Sequence, residues 1–225
     1  MTNDSQESLL AFEYEDREFL FWLPDHTTDF VQCIMWKNKS FWERKMLERV
    51  RRWLPERPVV VDVGGFVGNH AIYFARVCEA REVVTFEPQP RMANVLEYNA
   101  ALNGVDQIVR LLRVALGERV GRASVLGRLV GSAATTAFCY DDQGSVPVET
   151  IDGFEFQWMD LLKVDVEGME LSVLRGASSA LSRLAPLVWV EAVSGRSYHD
   201  VENYLNEQGY KLLEPLSEMD YLFRK

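Results

Sequence analysis

The sequence predicts an α/β protein built on a doubly wound, mostly parallel sheet. Three observations carry this expectation. Short runs at 58–63, 83–86, 108–114, 161–164 and 186–190 are rich in β-branched and apolar residues almost throughout, as in strands buried on both faces. Helical stretches alternate with them at 68–77, 91–102, 170–184 and 197–208, which is the βαβ rhythm of a sheet covered on both sides. Two last runs, 210–213 and 221–223, pair as a closing hairpin, which makes a C-terminal strand antiparallel.

The elements follow in order. Residues 11–23 predict a hairpin: Phe12 and Tyr14 alternate, Asp16-Arg17 turns, then Phe19, Phe21 and Leu23 alternate. Ser40 starts a helix with Glu43 at the capping-box spacing. Trp42, Met46, Val50, Trp53 and Leu54 then share one helical face, and Pro55 ends it. Trp22, Trp36, Trp42 and Trp53 are expected in core or lid packing, the alternative being an aromatic wall for an apolar ligand. The rhythm changes at residue 58, so the expected division is 1–57, a hairpin-and-helix extension serving as a lid, and 58–225, the sheet domain. Asn103-Gly104 and Gly209 stop two of the helices. Residues 119–150, with Gly121, Gly127, Gly131, Gly144, Ser132, Thr135 and Thr136, predict a long loop or short strands.

Composition narrows the function classes. The 225 residues, 48% hydrophobic, allow one domain with a substantial core. Lys and Arg number 24 against 34 Asp and Glu, a net charge of −10. Nucleic-acid affinity comes mostly from basic side chains neutralising phosphates, so nucleic acid is not the expected partner. Cys33, Cys78 and Cys139 form no CxxC pair, and His26, His70 and His199 show no ligand spacing. The acidic start lacks a leader's basic and apolar regions, and no apolar run approaches 18 residues. The expectation is a reduced, cytoplasmic protein with a small-molecule partner and no membrane span.

In such sheets ligands bind beyond the carboxyl ends of the strands. Four of these ends carry Asp62, Glu87, Asp165 and Glu191, while the third strand ends in Ala115-Leu116-Gly117. Clustered carboxylates repel, so stability alone does not choose them. The first strand runs into Asp62-Val63-Gly64-Gly65-Phe66-Val67-Gly68-Asn69. Its glycines bring backbone N–H groups close to a ligand at a helix start. Their spacing breaks the G-x-G-x-x-G dinucleotide pattern, which tells against a nicotinamide-dependent oxidoreductase, the rival reading. An acid before the first glycine suits an amine-bearing ligand. Glu87, 19 residues after Gly68, stands where a carboxylate accepts both hydroxyls of a ribose. The structural alternative is a plain tight turn with Asp62 as a helix cap.

A second block, Lys163-Val164-Asp165-Val166-Glu167-Gly168-Met169-Glu170 through Val173-Leu174-Arg175-Gly176-Ala177, completes a pattern. With the glycine loop, Phe86-Glu87-Pro88, Val114-Ala115-Leu116-Gly117 and Val148-Glu149-Thr150-Ile151-Asp152, it resembles the FkbM family of S-adenosylmethionine-dependent methyltransferases over residues 58–193. Gly65 stands where relatives usually carry Ala. The resemblance implies a class I methyltransferase, Rossmann-like fold and S-adenosyl-L-methionine as cofactor. Asp62 would pair, directly or through water, with its ammonium, Gly64, Gly65, Gly68 and Asn69 would shape the loop around its tail, Glu87 would take the ribose, and Ala115 and Leu116 would flank adenine. The acceptor expected is a hydroxyl on a sugar, polyketide or other secondary metabolite, with N- and carboxyl-methylation as alternatives, and loss of turnover in an interaction domain as a third. Deprotonating a hydroxyl calls for a positioned base, for which Asp165, then Glu167, then His199 are the candidates. Glu170 reads as an acid favoured by the helix dipole. Asp165 with Glu167 offers oxygen ligands, but no second ligand set is visible and no metal is expected.

Overall fold

The computed structural model describes residues 8–128, 136–193 and 195–225. Strands β1 (Leu9–Tyr14) and β2 (Arg17–Trp22) form the expected hairpin. Its turn lies one residue earlier than the pattern predicts: Glu15 and Asp16 have φ of 48° and 57°, the left-handed pair whose twist matches the flanking strands. Helix α1 (Phe30–Asn38) has no counterpart in the periodicity, because the side chains it buries are Gln32 and Met35 rather than an apolar stripe; Asp29 caps it by accepting from the Gln32 N–H. Helix α2 (Arg44–Arg51) begins four residues after Ser40, and Glu43 precedes it at φ 56° without a side-chain cap bond. The capping box is therefore not formed; the Glu43 carboxylate bonds elsewhere.

The sheet domain runs β3 (Val59–Val63), α3 (Asn69–Arg76), β4 (Glu82–Phe86), α4 (Pro90–Leu102), β5 (Val109–Leu112) and β6 (Ala115–Leu116). Short strands, not a loop, then fill much of 119–150: β7 (Gly121–Arg128), β8 (Thr136–Tyr140) and β9 (Val146–Glu149). Gly131, Ser132 and Thr135 lie outside the described residues. There follow β10 (Leu161–Val164), α5 (Glu170–Arg175), α6 (Ser178–Leu184), β11 (Leu187–Glu191), α7 (Gly195–Glu207), β12 (Lys211–Pro215) and β13 (Asp220–Arg224). The single helix expected over 170–184 is two. A Cβ at Gly176 would sit 2.0 Å from the Gly117 carbonyl oxygen, so the chain turns where only glycine lets two backbones approach.

The main sheet has the order β12-β13-β11-β10-β3-β4-β5. Strands β3, β4, β5, β10 and β11 are parallel, and β13 closes antiparallel on β11. Chain order reverses between β3 and β10, so their following loops part there and leave a crevice. One apolar core, with Phe19, Met35, Leu47, Tyr73 and Leu96, joins the hairpin, α1 to α4 and one sheet face. A second, with Val173, Leu181, Leu205 and Tyr210, lies under α5 to α7. A smaller sheet, β6-β9-β7-β8, stands beside the crevice.

The N-terminal region is held by side-chain amides that act like a strand edge. Asn99 accepts from the Trp22 N–H at 2.7 Å and donates to its carbonyl at 3.2 Å. Asn103 does the same for Leu20 at 3.2 and 2.6 Å. Asn69, at the start of α3, repeats the device on Trp42 at 2.9 and 3.1 Å. Buried bonds of this kind are expensive to break, because each loss strands a backbone group.

Candidate active site

A cavity of about 460 Å³ opens at the carboxyl edge of the main sheet. The ends of β3, β4, β10 and β11 form its floor, and Phe30, Trp42 and Met219 stand on its walls.

The glycine turn is shaped by neighbouring chain. Gly64 and Gly65 both donate their N–H to the Phe86 carbonyl at 3.0 Å. Gly64 has φ +94°, and a Cβ there would lie 1.9 Å from the Asp165 carbonyl oxygen. At Gly65 a Cβ would fall 2.3 Å from Thr85 Oγ1 and 2.7 Å from a Leu96 methyl. The alanine common at this position in the resembling family therefore requires the Thr85 and Leu96 side chains to shift here. Gly68 ends the loop at φ +87° as the cap of α3 and does not line the cavity.

Glu87 is 4% exposed and lines the cavity. Its Oε2 accepts from the Phe66 N–H at 2.9 Å and its Oε1 from the Gln89 N–H at 2.8 Å. Burial raises its carboxyl to about 7 despite these donors. Val114, Ala115, Leu116, Phe138 and Met169 line an apolar part of the same cavity.

Under the crevice lies a buried charge cluster. Lys163 on β10 is 1% exposed and is the cross-strand neighbour of Asp62 on β3. Its Nζ lies 3.7 Å from Asp62 Oδ1 and 3.1 Å from Asp165 Oδ2. Asp62 is fully buried, accepts from Thr85 Oγ1 at 3.3 Å and does not line the cavity. Its ion-pair partner is Lys163, beneath the floor, so the direct contact with a ligand's ammonium is not what this geometry offers, and the water-mediated one is left. Burial would lower the lysine, but the two aspartates outweigh it and hold the ammonium above its usual range. Burial would raise Asp165, but Lys163 outweighs it and keeps that carboxyl below the usual range. Burial, and then the charge of Asp165, push Glu191 well up, so Glu191 carries the proton of this pair. Glu167, at φ 55°, is raised to about 7 by burial and then by Asp165. Carboxylate oxygens of Asp165, Glu167 and Glu191 lie within 4.8 Å of one another. Lys163 already supplies that group with a positive charge.

The cavity also holds residues that motif reading passed over. The carboxylate of Glu43 lies 3.0 Å from His70 Nε2. Burial, then Asp165, raises Glu43 to about 7, while burial lowers His70 to about 3, so His70 is neutral. The His70 ring packs edge-on against Trp189, whose Nε1 donates to Asp220 at 2.9 Å. Nothing local marks Glu43, which lies 27 residues before His70. Asn69 lines the cavity, but its amide is spent on the Trp42 backbone, so it positions the wall. Of the four tryptophans raised as an aromatic wall, Trp42 alone lines this cavity.

The structure thus brings together Gly64, Gly65, Asn69, Glu87, Ala115, Leu116, Asp165 and Glu167. It leaves out Asp62 and Gly68, which lie behind the wall. His199 is not brought in either. It sits on α7 with its side chain 72% exposed, 3.8 Å from Glu202, because the apolar face of that helix is Val201 and Leu205.

Residues 62–212 match the family described as the methyltransferase FkbM domain. The chain belongs to the FkbM methyltransferase family. Relatives of this FkbM methyltransferase include the methyltransferase sdnD of Sordaria araneosa, 27% identical over 73% of this chain and 78% of that protein. Another is the hexuronic acid methyltransferase AglP of Haloferax volcanii, 32% identical over 68% of this chain and 63% of that one. Among solved structures, the methyltransferase FkbM of Methylobacillus flagellatus superposes with a TM-score of 0.57 at 19% identity, covering 76% of this chain and 44% of that one. The fold is accordingly that of class I methyltransferases, as the resemblance implied. No helix among the described residues is long and apolar enough to cross a membrane.

Proposed function

We propose that this FkbM methyltransferase moves the methyl group of S-adenosylmethionine to a hydroxyl of a small molecule. The observation that carries the cofactor is Glu87: a buried carboxylate at the end of β4, fixed by two backbone N–H groups and facing the cavity beside the glycine turn. A carboxyl kept this dry and raised to about 7 is relieved by donors, and the two hydroxyls of a ribose are such donors. The apolar wall of Val114, Ala115 and Leu116 suits a purine face, and the carboxylate end suits a cationic sulfonium. When bound, S-adenosylmethionine supplies an electrophilic methyl on that sulfonium.

The chain's own part is to hold and to deprotonate. Asp165, kept ionised by Lys163, is a weak base and a firm hydrogen-bond acceptor, so it orients the acceptor hydroxyl. Glu167, raised to about 7, has the basicity suited to taking the hydroxyl proton near neutral pH. The first 57 residues act as a lid whose wall is Trp42, anchored by Asn69. The relative named as a hexuronic acid methyltransferase supports a small hydroxylated acceptor. Mass spectrometry of methyl transfer from labelled cofactor to a panel of hydroxylated metabolites tests the reading. A methylated hydroxyl supports it, and methylation confined to amines or carboxyls refutes the O-methyl assignment.

A further inference from the structure

The match to the family spans 62–212, and the cavity does not stop at those bounds. Phe30, Val31, Trp42, Glu43 and Met219 line it from outside. The matching segment contributes the Glu87 end and also Asp165, Glu167 and Glu191. Glu43 feels the charge of Asp165, so the walls from outside the segment adjoin the Asp165 side, where the acceptor is proposed to sit. Phe30, the first residue of α1, is 61% exposed and meets the Trp42 ring edge-on at 5.7 Å. With Met219, 42% exposed, these side chains offer aromatic and thioether surface to a flat apolar ligand.

The polar side of the same space is built from acids. Glu43, Asp165, Glu167 and Glu191 line it, Asp165 ionised and Glu191 protonated, and no Lys or Arg lines it among the described residues. The nearby ammonium of Lys163 is 1% exposed and already faces Asp165 and Asp62. A ligand carboxylate entering here would lose water and find no cation to meet it, which is the costly way to bury a charge. A hydroxyl or an ammonium would find the ionised Asp165 as acceptor, and an ammonium would favour the ionised forms of Glu43 and Glu167.

We infer that this mouth is an acceptor subsite for neutral or amine-bearing hydroxyl compounds with a flat apolar face, and that it rejects carboxylate-bearing ones. The inference rests on the S-adenosylmethionine reading above. It separates this chain from the relative named for hexuronic acid, an acidic sugar, and from carboxyl methylation.

Binding tests it without a known acceptor. The probes are tyramine, tyrosol and 4-hydroxyphenylacetate, three phenols of one shape with a positive, a neutral and a negative tail. Each is titrated by calorimetry into the full chain saturated with S-adenosylhomocysteine. Tyramine and tyrosol are expected to bind at least about tenfold more tightly than 4-hydroxyphenylacetate, by the cost of an unpaired buried charge. Phe30→Ala, at a side chain too exposed to threaten folding, should weaken tyrosol several-fold. Glu43→Gln should narrow the gap between tyramine and 4-hydroxyphenylacetate. Equal or tighter binding of the carboxylate overturns the inference, as does the absence of binding by all three or indifference to Phe30→Ala. If S-adenosylhomocysteine itself gives no heat, the cofactor reading fails first, and the two failures stay distinct.

Discussion

Replacing Lys163 by Met removes the one cation set between Asp62 and Asp165. Lys163 is 1% exposed and Asp62 0%, so water cannot take over for that partner. Asp165 is 32% exposed toward the cavity, so its share is discounted for solvent. Removing one member of a buried pair costs roughly 3–5 kcal/mol, and the half-open Asp165 places Lys163→Met near 3. The pH dependence has a definite sign. Burial already raises Asp62 in the native protein against the charge of Lys163. In the variant that charge is gone, the Thr85 hydroxyl still donates to it, and Asp62 rises further, so the fold prefers that group protonated over a wider range. Stability is then lost as pH rises through its folded pKa. The native Lys163–Asp165 pair behaves differently. Its lowered Asp165 contributes above the unfolded aspartate pKa and fails only in acid, and its raised Lys163 contributes until strongly alkaline pH. Between pH 5 and 8 the native pair is therefore constant. Glu87 and Glu167 feel no charge from Lys163 and cancel in the difference, whereas Glu43 loses the lowering charge of Lys163, rises further and adds to the loss at the higher pH. Urea unfolding followed by circular dichroism at pH 5 and pH 8 should show the larger loss at pH 8. Adding Asp62→Asn should restore about 1–3 kcal/mol, the cost of a stranded buried group. A loss under about 1 kcal/mol at both pH values, typical of a solvated pair, would refute the argument.

Gly65→Ala is expected to destabilise by about 1–3 kcal/mol through overpacking against Thr85, and Thr85→Ala in the same chain should recover much of it, read by thermal melts. With an acceptor in hand, turnover should rise with pH to a plateau above about 7; Glu167→Gln should lower it about 10²–10⁴-fold and abolish the rise, while Asp165→Asn should slow the reaction and keep the rise, moved to lower pH because the charge of Asp165 helps to hold Glu167 up. His199→Ala should leave cofactor affinity and turnover unchanged, since its side chain is 72% exposed on the outer face of α7; a tenfold loss would return it to the site.

The four acids at strand ends were legible because each follows a buried apolar run, and a carboxylate there has few structural uses. Glu87, Asp165 and Glu191 do face the cavity. Asp62 shows the limit of that logic: strand register, invisible in sequence, sets Lys163 beside it and turns a supposed ligand group into a counter-ion. Glu43 was masked by a convincing local pattern, since Ser40 and Glu43 have capping-box spacing. A left-handed backbone and a histidine 27 residues on decide its role instead. The β7–β9 sheet was hard to see because β7 carries Gly121 and Gly127 and mixes polar with apolar residues, and β9 is four residues long with a proline inside it. Gly176 read as part of a helix because its reason for being glycine, the Gly117 carbonyl, belongs to another loop.

The central claim is that Glu87 makes this cavity a site for S-adenosylmethionine, and calorimetry of wild type and Glu87→Ala with S-adenosylhomocysteine and NAD tests it most directly. Wild type should bind S-adenosylhomocysteine and not NAD, and Glu87→Ala should weaken the former by about 1.5–3 kcal/mol, the worth of a hydrogen bond to a charged group. Tight NAD binding without a response to S-adenosylhomocysteine, or an unchanged dissociation constant in Glu87→Ala, would contradict it.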